Sequence, residues 1–244
     1  MSPTLQAEKP MGAKAYGHIA HLPGSRMGPG DHQCHEGQAR IATLKTRNRH
    51  DRVIVQEKLD GSCVAVFMGP ERELFALGRA GWLAQSSPYE QHQLFAYWVR
   101  ENAARFDAVL HPGERLVGEW LAQAHGTRYD LTNREPFVAF DIMTGTTRVN
   151  ADTFYSRTLD VFETPAVLND QASPMSIEAA LTAVLPHGLY GALDEVEGAV
   201  WRVERDGVVD FLAKYVRPDK VDGKYLPDTT VSINPGVEVW NWRP

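Results

Sequence analysis

One stretch constrains the fold more than any other: Val53-Ile54-Val55-Gln56-Glu57-Lys58-Leu59-Asp60-Gly61-Ser62. An apolar, β-branched run ends in a lysine. An Asp-Gly-Ser turn follows at once, and a second apolar run extends from Cys63 to Met68. β-Branched side chains suit a pleated strand and glycine permits a tight reversal, so the pattern predicts strand, turn and strand, folded back as a hairpin. Lys58 then projects from the end of a rigid element, beside a glycine that lets another group approach closely. A surface hairpin without chemistry would show the same four residues, so the other runs must decide.

Those runs share a feature. Glu73 to Leu77 reads as a third strand and leads into Gly78-Arg79-Ala80-Gly81-Trp82, an arginine in a glycine-flanked turn. Arg115 to Trp120 is a short apolar run carrying Glu119, and Phe137 to Met143 is another, carrying Asp141. Val196 to Val203 carries Glu197 and Val208 to Val216 carries Lys214, joined across an Asp206-Gly207 hairpin turn. Carboxylates inside such runs are unusual, because burying an unpaired charge is costly. Either they sit on a solvated face or they serve a site. Two helices intervene. One has Ser87 as N-cap, Pro88 at its first position and Glu90 completing a capping box, with Leu94, Phe95, Trp98 and Val99 as its core face. The other, Ser176 to Val184, is capped by Ser176. The sum predicts an α+β domain of twisted, largely antiparallel sheets with flanking helices, whose polar groups converge on a groove.

The remaining segments are connectors. Residues 1–15 read as a loose terminal arm, His21 to Asp31 as a structured loop rich in Gly and Pro, and the Pro-containing stretch Thr164 to Pro174 as a loop inside one domain. His32, Cys34 and His35 could ligate zinc, but no second ligand pair stands at finger-like spacing.

The net charge of −6 argues against a protein that coats nucleic acid non-specifically. It leaves room for a local basic groove, since Arg40, Lys45, Arg47, Arg49, Arg52 and Lys58 are opposed only by Asp51 and Glu57. A solvated loop explains the same run. No apolar stretch approaches the roughly 20 residues that span a bilayer, the first residues lack a signal-peptide layout, and Cys34 and Cys63 make no disulfide framework, so a cytoplasmic protein is expected.

In order and spacing the motifs resemble the covalent nucleotidyltransferase superfamily of ATP-dependent DNA ligases, RNA ligases and mRNA capping enzymes. Lys58-Leu59-Asp60-Gly61 matches its nucleophile motif, Arg79-Ala80-Gly81 the next, Gly118-Glu119 the glutamate motif and Phe137 to Ile142 the aromatic-carboxylate motif. Glu197-Gly198-Ala199-Val200 matches the Glu-Gly motif, and Lys214 opens the final Lys-x-Lys motif, whose second lysine is Val216 here. Arg217, Lys220 and Lys224 are the candidates for the missing charge. His21 to Arg26 and the Gln56-Glu57-Lys58 approach look most like the RNA ligase branch of the phage T4 RNA ligase 2 type. The resemblance implies a single adenylyltransferase domain over residues 1–244 with the nucleotidyltransferase (ATP-grasp-like) fold. On that reading neither the OB-fold domain of DNA ligases and capping enzymes nor the helical domain common in the type 2 branch is expected.

The same resemblance implies an ATP-dependent RNA ligase, with Mg²⁺ or Mn²⁺, joining 5′-phosphate and 3′-hydroxyl RNA ends through a lysyl-AMP intermediate in RNA repair. Lys58 is then the nucleophile and Lys214 stabilises the α-phosphate. Arg79 binds phosphate and ribose, Glu119 the ribose hydroxyls, and Phe140 stacks on adenine, although a plain core aromatic reads identically. Gln56 and Glu57 offer backbone partners to adenine, Glu197 holds the hydrated metal, and Asp60 orients the loop or a metal-bound water. Asp141 is as readily structural as catalytic. Implied partners are RNA ends, with a further protein to supply an accessory domain and no membrane. The competing readings are a DNA nick-sealing ligase, a capping-type guanylyltransferase, and a non-catalytic module that binds nucleic-acid ends.

Overall fold

The computed structural model describes residues 9–244. In chain order its elements are β1 (Ala20–His21), α1 (Glu36–Thr43), β2 (Asp51–Lys58), β3 (Ser62–Met68), β4 (Leu74–Gly78), α2 (Glu90–Glu101), α3 (Ala103–Val109), β5 (Glu114–Trp120), β6 (Phe137–Thr144), β7 (Thr147–Arg148), α4 (Ala151–Thr158), β8 (Val167–Gln171), α5 (Ile177–Val184), β9 (Gly198–Arg205) and β10 (Val208–Val216). A 3-10 turn, Ala84–Ser86, precedes α2. The elements fall into two compact units. The expected α+β class holds, with two sheets in which every strand pair but β1–β10 is antiparallel.

One unit comprises the described residues up to Gly17, with Ser62–Ala122 and Phe137–Thr164. Its sheet runs β4-β3-β5-β6-β7. Trp120 and Phe137 leave one face of that sheet and join Phe95 and Trp98 of α2, Phe106 of α3 and Phe162, with ring centroids 4.7 to 6.0 Å apart. Such tilted and edge-on aromatic contacts add to the area they bury. Helix α2 begins at Glu90 with Tyr89 as N-cap, two residues later than Ser87 predicted. The Ser87 hydroxyl lies 2.8 Å from the His92 ring instead, so the expected capping box does not form.

The other unit comprises His18–Gly61, Gln123–Pro136 and Pro165–Pro244. Its sheet runs β1-β10-β9-β2-β8. One face is apolar: Val53, Val55, Ala199, Trp201, Val203 and Ala213 pack with Ala39 and Ala42 of α1 and Ala180 of α5. Ser176 caps α5 as its sequence demands, accepting the Ala179 N–H at 3.1 Å. The β9–β10 hairpin turns at Asp206 and Gly207, with φ of 50° and 76°, the left-handed pair that matches strand twist.

Three expectations change. β2 and β3 are strands, but they do not pair with each other: β2 lies between β8 and β9, and β3 between β4 and β5. Asp60-Gly61 is therefore a crossover from one sheet to the other, not a hairpin turn. The stretch read as a loop from Thr164 to Pro174 contains β8, an edge strand whose Asn169 amide donates to the Val53 carbonyl at 2.7 Å. The terminal arm expected over residues 1–15 lies outside the described residues as far as residue 8; beyond it, Ala15 and Tyr16 are buried and both donate to the Arg79 carbonyl.

Candidate active site

Strand alternation sorts β2. Val53 and Val55 belong to the helix-covered face, so Gln56 and Lys58 lie on the opposite one. Register then aligns that face in rows. His21, Lys214, Val200 and Gln56 form one row across β1, β10, β9 and β2, and Val216, Gly198 and Lys58 form the next. At Gly198, φ 154°, the β10 backbone lies close: a Cβ would collide with the Tyr215 carbonyl. The neighbour of Lys58 in its row therefore carries no side chain, which leaves room above it.

The Lys58 ammonium is 2.7 Å from Glu197 Oε2 and donates to the Leu59 carbonyl at 3.4 Å. Its side chain is one-fifth exposed and that of Glu197 one-tenth. Burial pushes the Glu197 carboxyl up, opposed by the charge of Lys58 and reinforced by that of Asp60. A carboxyl so placed can share a proton with the amine beside it.

Behind the pair, Asp60 takes three contacts. Its carboxylate binds the Lys220 ammonium and accepts the Gly126 N–H at 2.9 Å, while its own N–H donates to the Tyr129 hydroxyl at 3.0 Å. Lys214 Nζ is 3.9 Å from Asp31 Oδ1, and Asp31 Oδ2 is 3.1 Å from His21 Nε2. Against burial, the Gly28 N–H and Lys214 pull the Asp31 carboxyl below its ordinary range. Burial and then Lys214 hold the His21 imidazole below its own, which favours the neutral ring. The expected loop from His21 to Asp31 thus delivers an acid to Lys214.

Glu57 points to the helix-covered face. It is buried, its Oε2 accepts the Leu189 N–H at 2.8 Å and its Oε1 has no hydrogen-bond partner among the described residues. Its backbone N–H donates to the Ala166 carbonyl. Gln56 is buried in β2 between Val200 and Val167.

Arg79, Glu119 and Phe140 belong to the other unit. Arg79 is exposed in its glycine-flanked turn, Gly81 having φ 87°, and it donates to the Gly17 carbonyl at 3.0 Å. Glu119 is paired in register with Cys63 and Val138, on the face of the sheet away from Trp120. A register shift between Val117 and Gly118 leaves Phe140 as the extra residue of β6. Bulges of this kind re-aim a side chain, and Phe140 meets Tyr16 edge-on at 5.3 Å. Asp141 is fully buried against Tyr16 and Arg148.

Sequence reasoning missed the Asp31 and Tyr129 contacts. Nothing local to either residue signals them, since each depends on chain far away. Within the basic run from Arg40 to Lys58, Arg47 binds Asp51 and Asp210, Arg52 binds Asp170 and Lys58 binds Glu197. Among the described residues no three His, Cys, Asp or Glu side chains gather as a metal cage, the His32, Cys34 and His35 trio included. Glu197 alone suits a hydrated divalent ion that takes its other ligands from phosphate and water, the habit of Mg²⁺. No helix of the described residues is long and apolar enough to cross a membrane.

A family model described as RNA ligase matches residues 51–216, which include every motif from Lys58 to Lys214. No curated protein sequence matches. Among solved structures, Naegleria gruberi RNA ligase with PPi aligns at TM-score 0.54 and 17% identity, covering 81% of this chain and 59% of that one. A variant of that ligase with ATP and Mn aligns at 0.52 and 15%, covering 84% and 60%, and another with AMP and Mn at 0.52 and 16%, covering 84% and 61%. Likeness at these identities shows the nucleotidyltransferase-type fold. The chain spans about six-tenths of the length of the ligases it matches.

Proposed function

The chain belongs to the RNA ligase family, and on that premise we propose that it carries the adenylyltransferase chemistry of an ATP-dependent RNA ligase that joins 5′-phosphate to 3′-hydroxyl ends in RNA repair. In the first step Lys58 attacks the α-phosphorus of ATP and pyrophosphate leaves, giving lysyl-AMP. AMP then passes to the RNA 5′-phosphate. The 3′-hydroxyl attacks that phosphate and AMP departs. The Naegleria structures, with ATP, AMP, Mn and PPi bound, support ATP and a divalent metal as the small-molecule requirements.

The contact between Lys58 and Glu197 carries this reading. A free lysine is only about 0.04% neutral at pH 7, a cost of about 4.6 kcal/mol to deprotonate for attack. Glu197 Oε2 holds the Lys58 ammonium at 2.7 Å, and a cation at Glu197 together with Lys214 in the adjacent row would favour the neutral amine. Lys214, in the adjacent row, is the cation for the α-phosphate. Gln56 and the Glu57 backbone are the proposed adenine contacts, Glu119 the ribose contact, Phe140 the base platform and Arg79 the phosphate fork. Glu197 would hold the metal, which when bound neutralises charge on the triphosphate.

Incubation with ATP labelled in its α-phosphate, followed by denaturing electrophoresis, tests the first step. Wild-type chain should carry an acid-labile label that Lys58→Ala lacks. A folded wild-type chain that takes no label from ATP would overturn the proposal and put the end-binding module first.

A further inference from the structure

Val216 stands where the last motif has its second lysine. It is buried and shares a row with Lys58, with Gly198 between. Two strand spacings, about 10 Å in all, separate the two backbones, so a lysine there would place a second cation over the nucleophile. Three basic residues follow Val216, and the structure separates them. Arg217 donates to the Val196 carbonyl at 2.7 Å and pairs with Asp219 and Glu195. Lys224 is one-third exposed, 3.8 Å from Asp194 and over the Tyr225 ring. Only Lys220 reaches the nucleophile motif. It is 4% exposed, with its ammonium against Asp60 Oδ2 and 2.8 Å from Thr127 Oγ1.

We propose that Lys220 takes over from the absent second lysine as a positioning residue, acting through Asp60 to hold the turn Lys58–Gly61. The inference rests on the lysyl-AMP reading above. The surroundings are built for this pair. A Cβ at Gly126 would fall 2.9 Å from Asp60 Oδ2 and 2.5 Å from both Lys220 Nζ and the Val221 carbonyl, so only glycine admits the pair at that distance. The charge of Lys220, with that of His125, holds the Asp60 carboxyl below its ordinary range against the rise that burial alone would bring. Asp60 also ties the Gly126 N–H and the Tyr129 hydroxyl to the turn. Lys58 follows from the same two peptide units. Without Lys220 a largely buried carboxylate keeps the Gly126 N–H but loses its paired ammonium, and the turn must move to hydrate it.

The test compares the full chain with Lys220→Met, Asp60→Asn, the Lys220→Met/Asp60→Asn double variant, and Lys224→Ala. Single-turnover labelling by ATP gives a rate constant and an amplitude. A folding defect lowers the amplitude, whereas a displaced nucleophile lowers the rate constant at full amplitude. We expect Lys220→Met to slow adduct formation about 100-fold, the scale of a 1 Å misplacement. The double variant, which strands no charge, should be no slower than Lys220→Met, because both act through one contact. Lys224→Ala should match wild type. Hydrogen exchange over residues 58–61 gives a readout independent of activity, with protection lost in Lys220→Met and kept in Lys224→Ala. Wild-type rates and protection in both Lys220 variants would overturn the inference. A wild-type chain that forms no adduct would instead overturn the ligase reading, and hydrogen exchange would still decide the role of Lys220.

Discussion

Asp141 is the motif residue whose role the sequence left open, and its surroundings make a quantitative prediction. The carboxylate is completely buried. It accepts the Tyr16 hydroxyl at 3.2 Å and Arg148 Nε at 2.7 Å, and the Arg148 guanidinium lies 5.2 Å from the Tyr16 ring centroid. Burial, and then the neighbouring carboxylate, push the Tyr16 hydroxyl well above its ordinary range, so it stays a donor at any working pH. Asp141→Ala leaves an arginine that is four-fifths buried without its carboxylate partner, and removing one partner of a buried pair costs roughly 3–5 kcal/mol. The orphaned Tyr16 hydroxyl adds about 1 kcal/mol. At about 2–4 °C per kcal/mol for chains of this size, the melting midpoint should fall by roughly 10–20 °C. Tyr16→Phe removes one hydrogen bond and keeps the ion pair, so it should lose only about 2–4 °C. Circular dichroism melts of the three proteins measure both shifts. Adduct formation, assayed below the lowered midpoint, should keep its wild-type rate constant. A midpoint for Asp141→Ala within about 3 °C of wild type, or a stable variant that no longer labels, would refute a structural role.

Other consequences follow from the same geometry. Burial raises the Glu57 carboxyl above its ordinary value despite the Leu189 N–H and the charge of Arg134. The folded chain then holds that proton more tightly than the unfolded chain, and stability falls as pH rises from the unfolded value through the folded one. Glu57→Gln should accordingly melt higher than wild type at about pH 8 and no higher at about pH 3, where both states are protonated; equal gains at both would contradict this. A Cβ at Gly118 would collide with the Phe137 ring and fall 2.7 Å from the Val138 carbonyl. Gly118→Ala should thus overpack the aromatic core and cost about 1–3 kcal/mol in urea unfolding. Chelation should abolish adduct formation, with Mg²⁺ or Mn²⁺ restoring it. It should leave the melting midpoint unmoved, because the described residues offer no protein cage for a structural ion.

The sequence by itself determined what local chemistry dictates. β-Branched runs became β2, β3, β9 and β10, Ser176 capped α5, and Asp206-Gly207 made a hairpin turn with both residues left-handed. The motif order also carried the family, because each motif is a short run whose residues act within a few positions of one another. Pairing was a different matter. A strand's sequence specifies which side chains share a face, but not which strand lies alongside, so Asp60-Gly61 read as a hairpin turn and folded as a crossover. β8 escaped notice because an edge strand with one partner and half-exposed polar residues lacks the alternation that marks a strand. Long-range polar contacts were invisible for a related reason. The buried carboxylate of Asp60 needs a cation, and burial is a property of the assembled core. Only the tertiary structure could show that Lys220, 160 residues away along the chain, supplies it while Arg217 and Lys224 do not.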